Sequence, residues 1–278
     1  MDQPIGVIDS GVGGLTVARE LMRQLPKEQL IYLGDTVRCP YGPRPKKEVI
    51  RYTLEMVDFL MEKQIKLLVI ACNTATAFTL EFLQEKLSIP VIGVIQPGAR
   101  AAMKITETKK IGVIGTEGTI KSKAYPNALQ YISSKLDIYD LACPKFVPLV
   151  ESGQFSKEAA EQIVSDSLQP MLNHNGLDTL ILGCTHYPLL ADQIKAVMGE
   201  RVQIISSGEE TAREVSVIMS YQHIAYEGER VARHQFYTTG SPILFEQIAN
   251  RWMDYPVQFI EQVTIDQTLI DNDSERMV

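Results

Sequence analysis

The chain is 278 residues long, with 45% hydrophobic and 22% charged residues and a formal net charge of −7. That length allows two ordinary domains, and that composition supports a large core and excludes a disordered chain. The acidic balance and the lack of any basic stripe argue against nucleic acid or an anionic membrane as the main partner. Apolar runs such as 67–72 are too short to span a bilayer. The opening MDQPIGVIDSG has neither a basic n-region nor an apolar h-region. A soluble, cytoplasmic protein is expected.

In chain order, short apolar runs predict buried strands over 5–9, 30–33, 67–72 and 91–95. Between them, residues 46–64 place Val49, Ile50, Thr53, Met56, Val57 and Leu60 at helical spacing. Residues 74–87 read as a second helix, with Pro90 just past its end. Strands then follow over 110–115, 177–183 and 202–206, with 208–214 opening a helix. Ser156 is an N-cap for a helix reaching about 173, closed by Asn175 and Gly176. Further strands are expected over 235–239 and 257–260 around a helix near 243–253, with a frayed polar tail over 271–278. Alternating strand and helix predict an α/β fold with mainly parallel sheets flanked by helices.

The pattern repeats. IGVIDSG at 5–11 resembles IGVIGTEG at 111–118, and LVIACNTAT at 68–76 resembles LILGCTHYP at 180–188. VIGVIQPGARAA at 91–102 loosely resembles IISSGEETAREV at 204–215. The offsets are 106, 112 and 113 residues, in one order, and the second pair aligns Cys72 with Cys184. Two pseudo-symmetric α/β domains are therefore expected. The first takes 1–97 plus the returning 209–278, the second takes 98–208, and the active site lies in the cleft between them.

Ligands of parallel α/β sheets bind outside the carboxyl ends of the strands. Asp9-Ser10-Gly11, Cys72-Asn73-Thr74 and Cys184-Thr185-His186 all sit at such ends. Each Cys is expected to enter a helix N-terminus, which lowers a thiol pKa and attracts carboxylates. Two equivalent thiols facing one ligand suit inversion of a carbon centre, one sulfur removing a proton and the other delivering one. Asp9 and His186 stand beside the two cysteines and are placed to tune them separately. Cys39 and Cys143 read as structural. The four cysteines and four histidines form no metal-ligand cluster by spacing, and no C-x-x-C pair occurs. The stretch 11–16 fails the G-x-G-x-x-G template at Thr16, and no phosphate-binding G-x-x-x-x-G-K-[ST] exists. Each residue also has an ordinary use. Asp9, Ser10 and Thr74 serve equally as helix caps, His186 as a core histidine, Tyr41-Gly42 as part of a rigid Pro-rich turn, and Glu151 as a solvated turn residue.

Asp9-Ser10-Gly11-Val12-Gly13-Gly14, Pro40-Tyr41-Gly42, Cys72-Asn73-Thr74-Ala75 and Gly183-Cys184-Thr185-His186-Tyr187-Pro188 together resemble the glutamate racemase family, over most of the chain. The resemblance implies cofactor-independent interconversion of L- and D-glutamate, supplying D-glutamate for peptidoglycan. It implies that Cys72 removes the proton from D-glutamate and Cys184 that from L-glutamate. Asp9, Glu151 and His186 fall at the family's auxiliary acid–base positions, with Asp35 a weaker candidate. Substrate contacts carried over are Asp9, Ser10, Tyr41, Gly42, Asn73, Thr74, Thr185 and His186. No N-terminal extension is present of the kind found in members activated by a cell-wall nucleotide precursor, so such activation is not expected. The competing readings are an aspartate racemase or a related isomerase or decarboxylase of the same fold, and a non-catalytic amino-acid-binding protein. No apolar seam names a homodimer, although two-domain enzymes of this size often form one.

Overall fold

The computed structural model describes residues 1–152, 156–254 and 256–265. The first half alternates β1 (Ile5–Asp9), α1 (Leu15–Gln24), β2 (Leu30–Gly34), α2 (Lys46–Glu62), β3 (Leu67–Ile70), α3 (Asn73–Lys86), β4 (Val91–Gly93) and α4 (Ile95–Ile105). The second half runs β5 (Lys110–Gly115), α5 (Glu117–Lys121), α6 (Ala124–Ile132), β6 (Asp137–Ala142), α7 (Phe146–Glu151), α8 (Lys157–Leu172), β7 (Thr179–Gly183), α9 (Ala191–Met198) and β8 (Gln203–Ser206). The chain then returns through α10 (Ser207–Tyr221), β9 (Gln235–Thr238), α11 (Pro242–Trp252) and β10 (Ile260–Gln262).

Two sheets result, and every strand pairing in them is parallel. One has the order β10-β9-β2-β1-β3-β4 and the other β6-β5-β7-β8. Helices cover both faces, which is why the central strands are apolar without alternation. Along β3, Leu67 and Val69 pack on the α1 and α10 side, while Leu68, Ile70 and Cys72 pack on the α2 and α3 side. Along β7, Leu180, Leu182 and Cys184 share one face and Ile181 takes the other. The two cysteines thus hold the same parity in their strands. Burying each such Leu or Ile contributes about 1.5–3 kcal/mol before entropy is counted.

Two helices cross between the halves. Helix α4 follows β4 of the first sheet, yet Ile95, Ala99 and Ala102 pack with Ile111, Val113 and Ile181 of the second. Helix α10 follows β8 of the second sheet, yet Ala212, Val215 and Met219 pack with Ile5, Leu15 and Leu21 of the first. These are the elements that the third repeat block equates.

Several boundaries differ from expectation. The strand expected over 91–95 ends at Gly93, and Ile95 opens α4. The strand expected over 257–260 pairs only from Ile260, because Phe259 has a left-handed φ of 57° that breaks the extended run. Strand β6 gave no apolar run, since Asp137 and Asp140 punctuate a half-buried edge strand. Ser156 does cap α8, accepting the Ala159 N–H at 3.1 Å. The tail over 271–278 lies outside the described residues. Among the described residues no helix is long and apolar enough to cross a membrane.

Candidate active site

The carboxyl ends of β1, β3, β5 and β7 converge on one cavity. Ser10, Tyr41, Gly42, Cys72, Asn73 and Thr74 line it from the first half. Thr116, Val147, Cys184, Thr185 and His186 line it from the second. Its volume is about 10 Å³, close to the room one water needs.

Cys72 ends the β3 segment and is the N-cap of α3; its sulfur accepts the Ala75 N–H at 3.5 Å. The thiol faces Ser10 Oγ at 3.6 Å. Burial, and then the negative charge of Asp9, push this thiol up to about 12, which outweighs the helix N–H and Ser10. Cys72 therefore rests as the protonated thiol in this closed arrangement. Beside it, Asn73 Oδ1 accepts the Tyr125 hydroxyl at 2.7 Å, while Asn73 Nδ2 is buried with no partner among the described residues. An orphaned buried donor in a cavity wall calls for an acceptor. Thr74 Oγ1 lies 2.9 Å from Thr116 Oγ1 and 3.1 Å from Thr119 Oγ1, across the cleft.

Cys184 differs from its repeat mate. It leads not into an α-helix but into a 3₁₀ turn over Tyr187–Leu190, closed by Tyr187 N–H on Cys184 O at 3.2 Å. Pro188 lacks an N–H, and α9 begins only at Ala191. The helix N-terminus expected at Cys184 is absent for this reason, and His186 takes its place: His186 Nδ1 lies 3.8 Å from the Cys184 sulfur. On the other side, His186 Nε2 meets Glu151 Oε1 at 2.6 Å. Burial disfavours the imidazolium, but Cys184 and Glu151 together hold its pKa well above the ordinary value. Burial likewise pushes Glu151 up, and the bond and charge of His186 overcome it, leaving the carboxyl below its usual range.

Asp9 is fully buried behind the cavity wall. It accepts the Gly11 N–H at 3.0 Å and the Thr185 hydroxyl at 3.2 Å, so it links the two halves. It is not the N-cap of α1, a place Gly14 takes. Burial raises its pKa, against the opposing charge of His186 and the backbone N–H groups of Gly14 and Gly11. Tyr41 is among the cavity-lining residues; its ring packs against Tyr52 and its hydroxyl donates to Asp35 at 2.5 Å. Asp35 also takes Arg38 at 2.6 Å and Thr239 at 2.9 Å, away from the cavity lining. It braces Tyr41 and is itself fully buried. Gly42 receives the Gly118 N–H on its carbonyl at 2.8 Å, and a Cβ on Gly42 would stand 2.4 Å from Thr116 Cβ. Only glycine permits that approach.

Sequence reasoning missed three participants. Thr116 lines the cavity as the repeat mate of Ser10, 106 residues on, and that offset was the signal for it. Tyr125 orients Asn73 from a helix that left no motif. Cys39, read as structural, donates its thiol to Glu151 Oε1 at 3.6 Å. Nothing local in the sequence announces that contact across 112 residues.

A model of the Asp/Glu/Hydantoin racemase family matches residues 5–215. A glutamate racemase of Oceanobacillus iheyensis is 63% identical over 249 residues, covering 90% of this chain and 91% of the relative. The crystal structure of glutamate racemase isoform RacE1 from Bacillus anthracis superposes with a TM-score of 0.91 at 52% identity, over 95% of this chain and 98% of that one. The glutamate racemase of Francisella tularensis in complex with D-glutamate gives a TM-score of 0.88 at 30% identity, over 95% and 98%. With strand ends, paired thiols and glycine approaches arranged as described, the chain belongs to the Asp/Glu/hydantoin racemase family.

Proposed function

We propose that the protein interconverts L- and D-glutamate without a cofactor, using Cys72 and Cys184 as the two bases. The observation that carries this reading is that both thiols line one cavity, each at the end of the equivalent strand of its own sheet. The substrate named for the relatives supplies the ligand. In one direction the Cys72 thiolate takes the α-proton of D-glutamate, while the Cys184 thiol gives its proton to the opposite face. L-Glutamate leaves, and the two sulfurs have exchanged protonation states. The reverse turn restores them.

The remaining residues have proposed roles that follow from where they sit. Asn73 Nδ2, without a partner among the described residues, is matched by a substrate carboxylate. The hydroxyls of Ser10, Thr74 and Thr185 and the backbone at Tyr41 and Gly42 complete that recognition. His186 brings a positive charge 3.8 Å from the Cys184 sulfur, and Glu151 holds the imidazole in place. Asp9, buried with a raised pKa, is able to carry a proton beside Cys72 and to orient Thr185. A carbanion next to a carboxylate needs stabilisation, and fixed donors in a dry cavity provide it. We assign the protein to the cytoplasm, as a supplier of D-glutamate for peptidoglycan. Residues 1–97 with 209–278 act as one domain and 98–208 as the other.

The test is deuterium entry at the α-carbon, followed with circular dichroism from each enantiomer, in Cys72→Ala and Cys184→Ala. Each variant is expected to lose racemisation in both directions by several orders of magnitude, as removal of an essential base does. Robust turnover in either one overturns the two-base reading. Faster turnover of aspartate than of glutamate by the unaltered protein overturns the substrate.

A further inference from the structure

Cys39, Glu151 and His186 come from three stretches of chain and converge beside the cavity. Cys39 Sγ stands 3.6 Å from Glu151 Oε1, which stands 2.6 Å from His186 Nε2. One ligand atom from each residue lies within 4.8 Å of the other two. Gly11 leaves the room for them, since a Cβ there would sit 2.8 Å from Cys39 Sγ and 3.2 Å from Glu151 Oε1. A thiol, an imidazole and a carboxylate are the donor mix of borderline-soft divalent cations, and three protein ligands leave a fourth position for water. The Glu151 side chain is 28% exposed, so an ion arrives from solvent on that side. The reaction proposed above uses His186 and Glu151, and Cys39 enters it only through its hydrogen bond to Glu151.

We propose that Cys39, Glu151 and His186 form a binding site for a zinc-class divalent cation, and that its occupation switches off the Cys184 half of the reaction. The hydrated cation gives up water as metal–sulfur, metal–nitrogen and metal–oxygen bonds form at Cys39 Sγ, His186 Nε2 and Glu151 Oε1. The Cys39 thiol proton and the proton held at His186 Nε2 go to solvent, and no oxidation state changes. Bonds of about 2.0–2.3 Å require Glu151 and His186 to move slightly apart from their direct contact. With Nε2 committed to the cation, the one ring proton left is at Nδ1, facing Cys184, and giving it up would leave an imidazolate, so His186 no longer exchanges protons with Cys184. The switch rests on the reading of Cys184 as a base; the binding site does not.

The experiment titrates the chelator-treated full chain, kept reduced by a thiol-free reductant, with Co²⁺ alone and then with Zn²⁺ alone. A near-ultraviolet thiolate-to-cobalt band is expected in the unaltered protein and in Cys72→Ser, and is expected to vanish in Cys39→Ser. Glu151→Gln is expected to weaken cobalt binding by more than the roughly tenfold loss that an outer-shell partner costs. Zn²⁺ is expected to displace the cobalt and to stop glutamate racemisation reversibly, with chelator restoring it. Cys39→Ser is expected to lose the zinc sensitivity, racemising at the same rate with zinc as in its own zinc-free state. If Cys39→Ser does not fold, Cys39→Ala and Glu151→Gln carry the cobalt titration. No band in the unaltered protein overturns the site. So does a band that survives in Cys39→Ser and disappears in Cys72→Ser, which places the cation between the cavity thiols. A bound cation that leaves racemisation unchanged overturns the switch. An intact band on a protein that never racemises glutamate overturns the proposed activity and leaves the site standing.

Discussion

The charge on His186 is set by neighbours with opposite demands. Burial favours the neutral ring, whereas the Cys184 sulfur and the Glu151 carboxylate favour the imidazolium and prevail. Glu151 is held low by the same contact, against its own burial. The signs for stability follow. The His186 contribution is complete below its ordinary pKa and is lost as pH rises through the raised folded value. The Glu151 contribution is present above its ordinary pKa and is lost as pH falls through the lowered folded value. The pair therefore stabilises the fold across the whole span between. Glu151→Gln is expected to bring the His186 titration, read by NMR of the imidazole nitrogens, down towards the ordinary value. The alkaline limb of the rate profile moves down with it. At neutral pH the variant is expected to lose about 1–3 kcal/mol, the cost of a hydrogen bond to a charged group, with the gap closing in strong acid. An unmoved His186 titration would show that Cys184 alone sets its charge. The importance of His186 was legible next to Cys184 in the sequence, whereas Glu151 rested on family resemblance, because its partner lies 35 residues away on another element.

Elements were legible where the hydrophobic period was long and illegible where it was interrupted. Strands β1, β3 and β7 are fully buried and read directly as apolar runs. Helix α4 hid inside a strand-like start, because the sequence Val91 to Ile95 is apolar throughout and only the backbone turn after Gly93 separates the two. The loop carrying Tyr41 and Gly42 was open to two readings, a rigid Pro-rich turn or a contact to substrate. Tyr41 is pinned to Asp35 within the first half, while Gly42 bonds to Gly118 of α5 in the second. Gly42→Ala tests this at the scale of the loop. The added Cβ meets Thr116 Cβ at 2.4 Å and Cγ2 at 2.8 Å, and neither is the free end of a flexible chain. The loop must draw back from α5, which displaces the cavity wall. Since a misplacement of about 1 Å costs on the order of 100-fold, kcat/KM for glutamate is expected to fall 10- to 100-fold, roughly, with little change in Tm. A large drop in Tm with normal kinetics in the folded fraction would assign Gly42 to stability instead.

At the scale of the molecule, the repeat is more than a likeness of strands. Helices α4 and α10 occupy equivalent places in the two copies, and each docks on the sheet of the other copy. The exchange ties the two halves together at the back of the cleft. At its mouth, weaker polar contacts join them, Thr74 with Thr116 and Thr119 and Asn73 with Tyr125, while Asp9 meets Thr185 behind the cavity wall. The repeat was visible in the sequence, but the exchange was not, because amphipathic helices do not say which sheet they will cover. A cavity of about 10 Å³ is far smaller than glutamate, so turnover requires the mouth to open. Strong packing at the back and hydroxyl contacts at the front make the front the side that gives. Thr74 and Thr119 offer a lock, their hydroxyl oxygens lying 3.1 Å apart on α3 and α5. In Thr74→Cys/Thr119→Cys, mild oxidation is expected to join the halves by a disulfide, and racemisation is expected to fall to the fraction of uncrosslinked chains. Reduction restores the rate of the same double variant. The single variants, oxidised in parallel, must keep their rates, which separates the lock from damage to Cys72 or Cys184. A fully crosslinked protein that still racemises glutamate at the reduced rate would mean that substrate enters without parting the halves at α3 and α5.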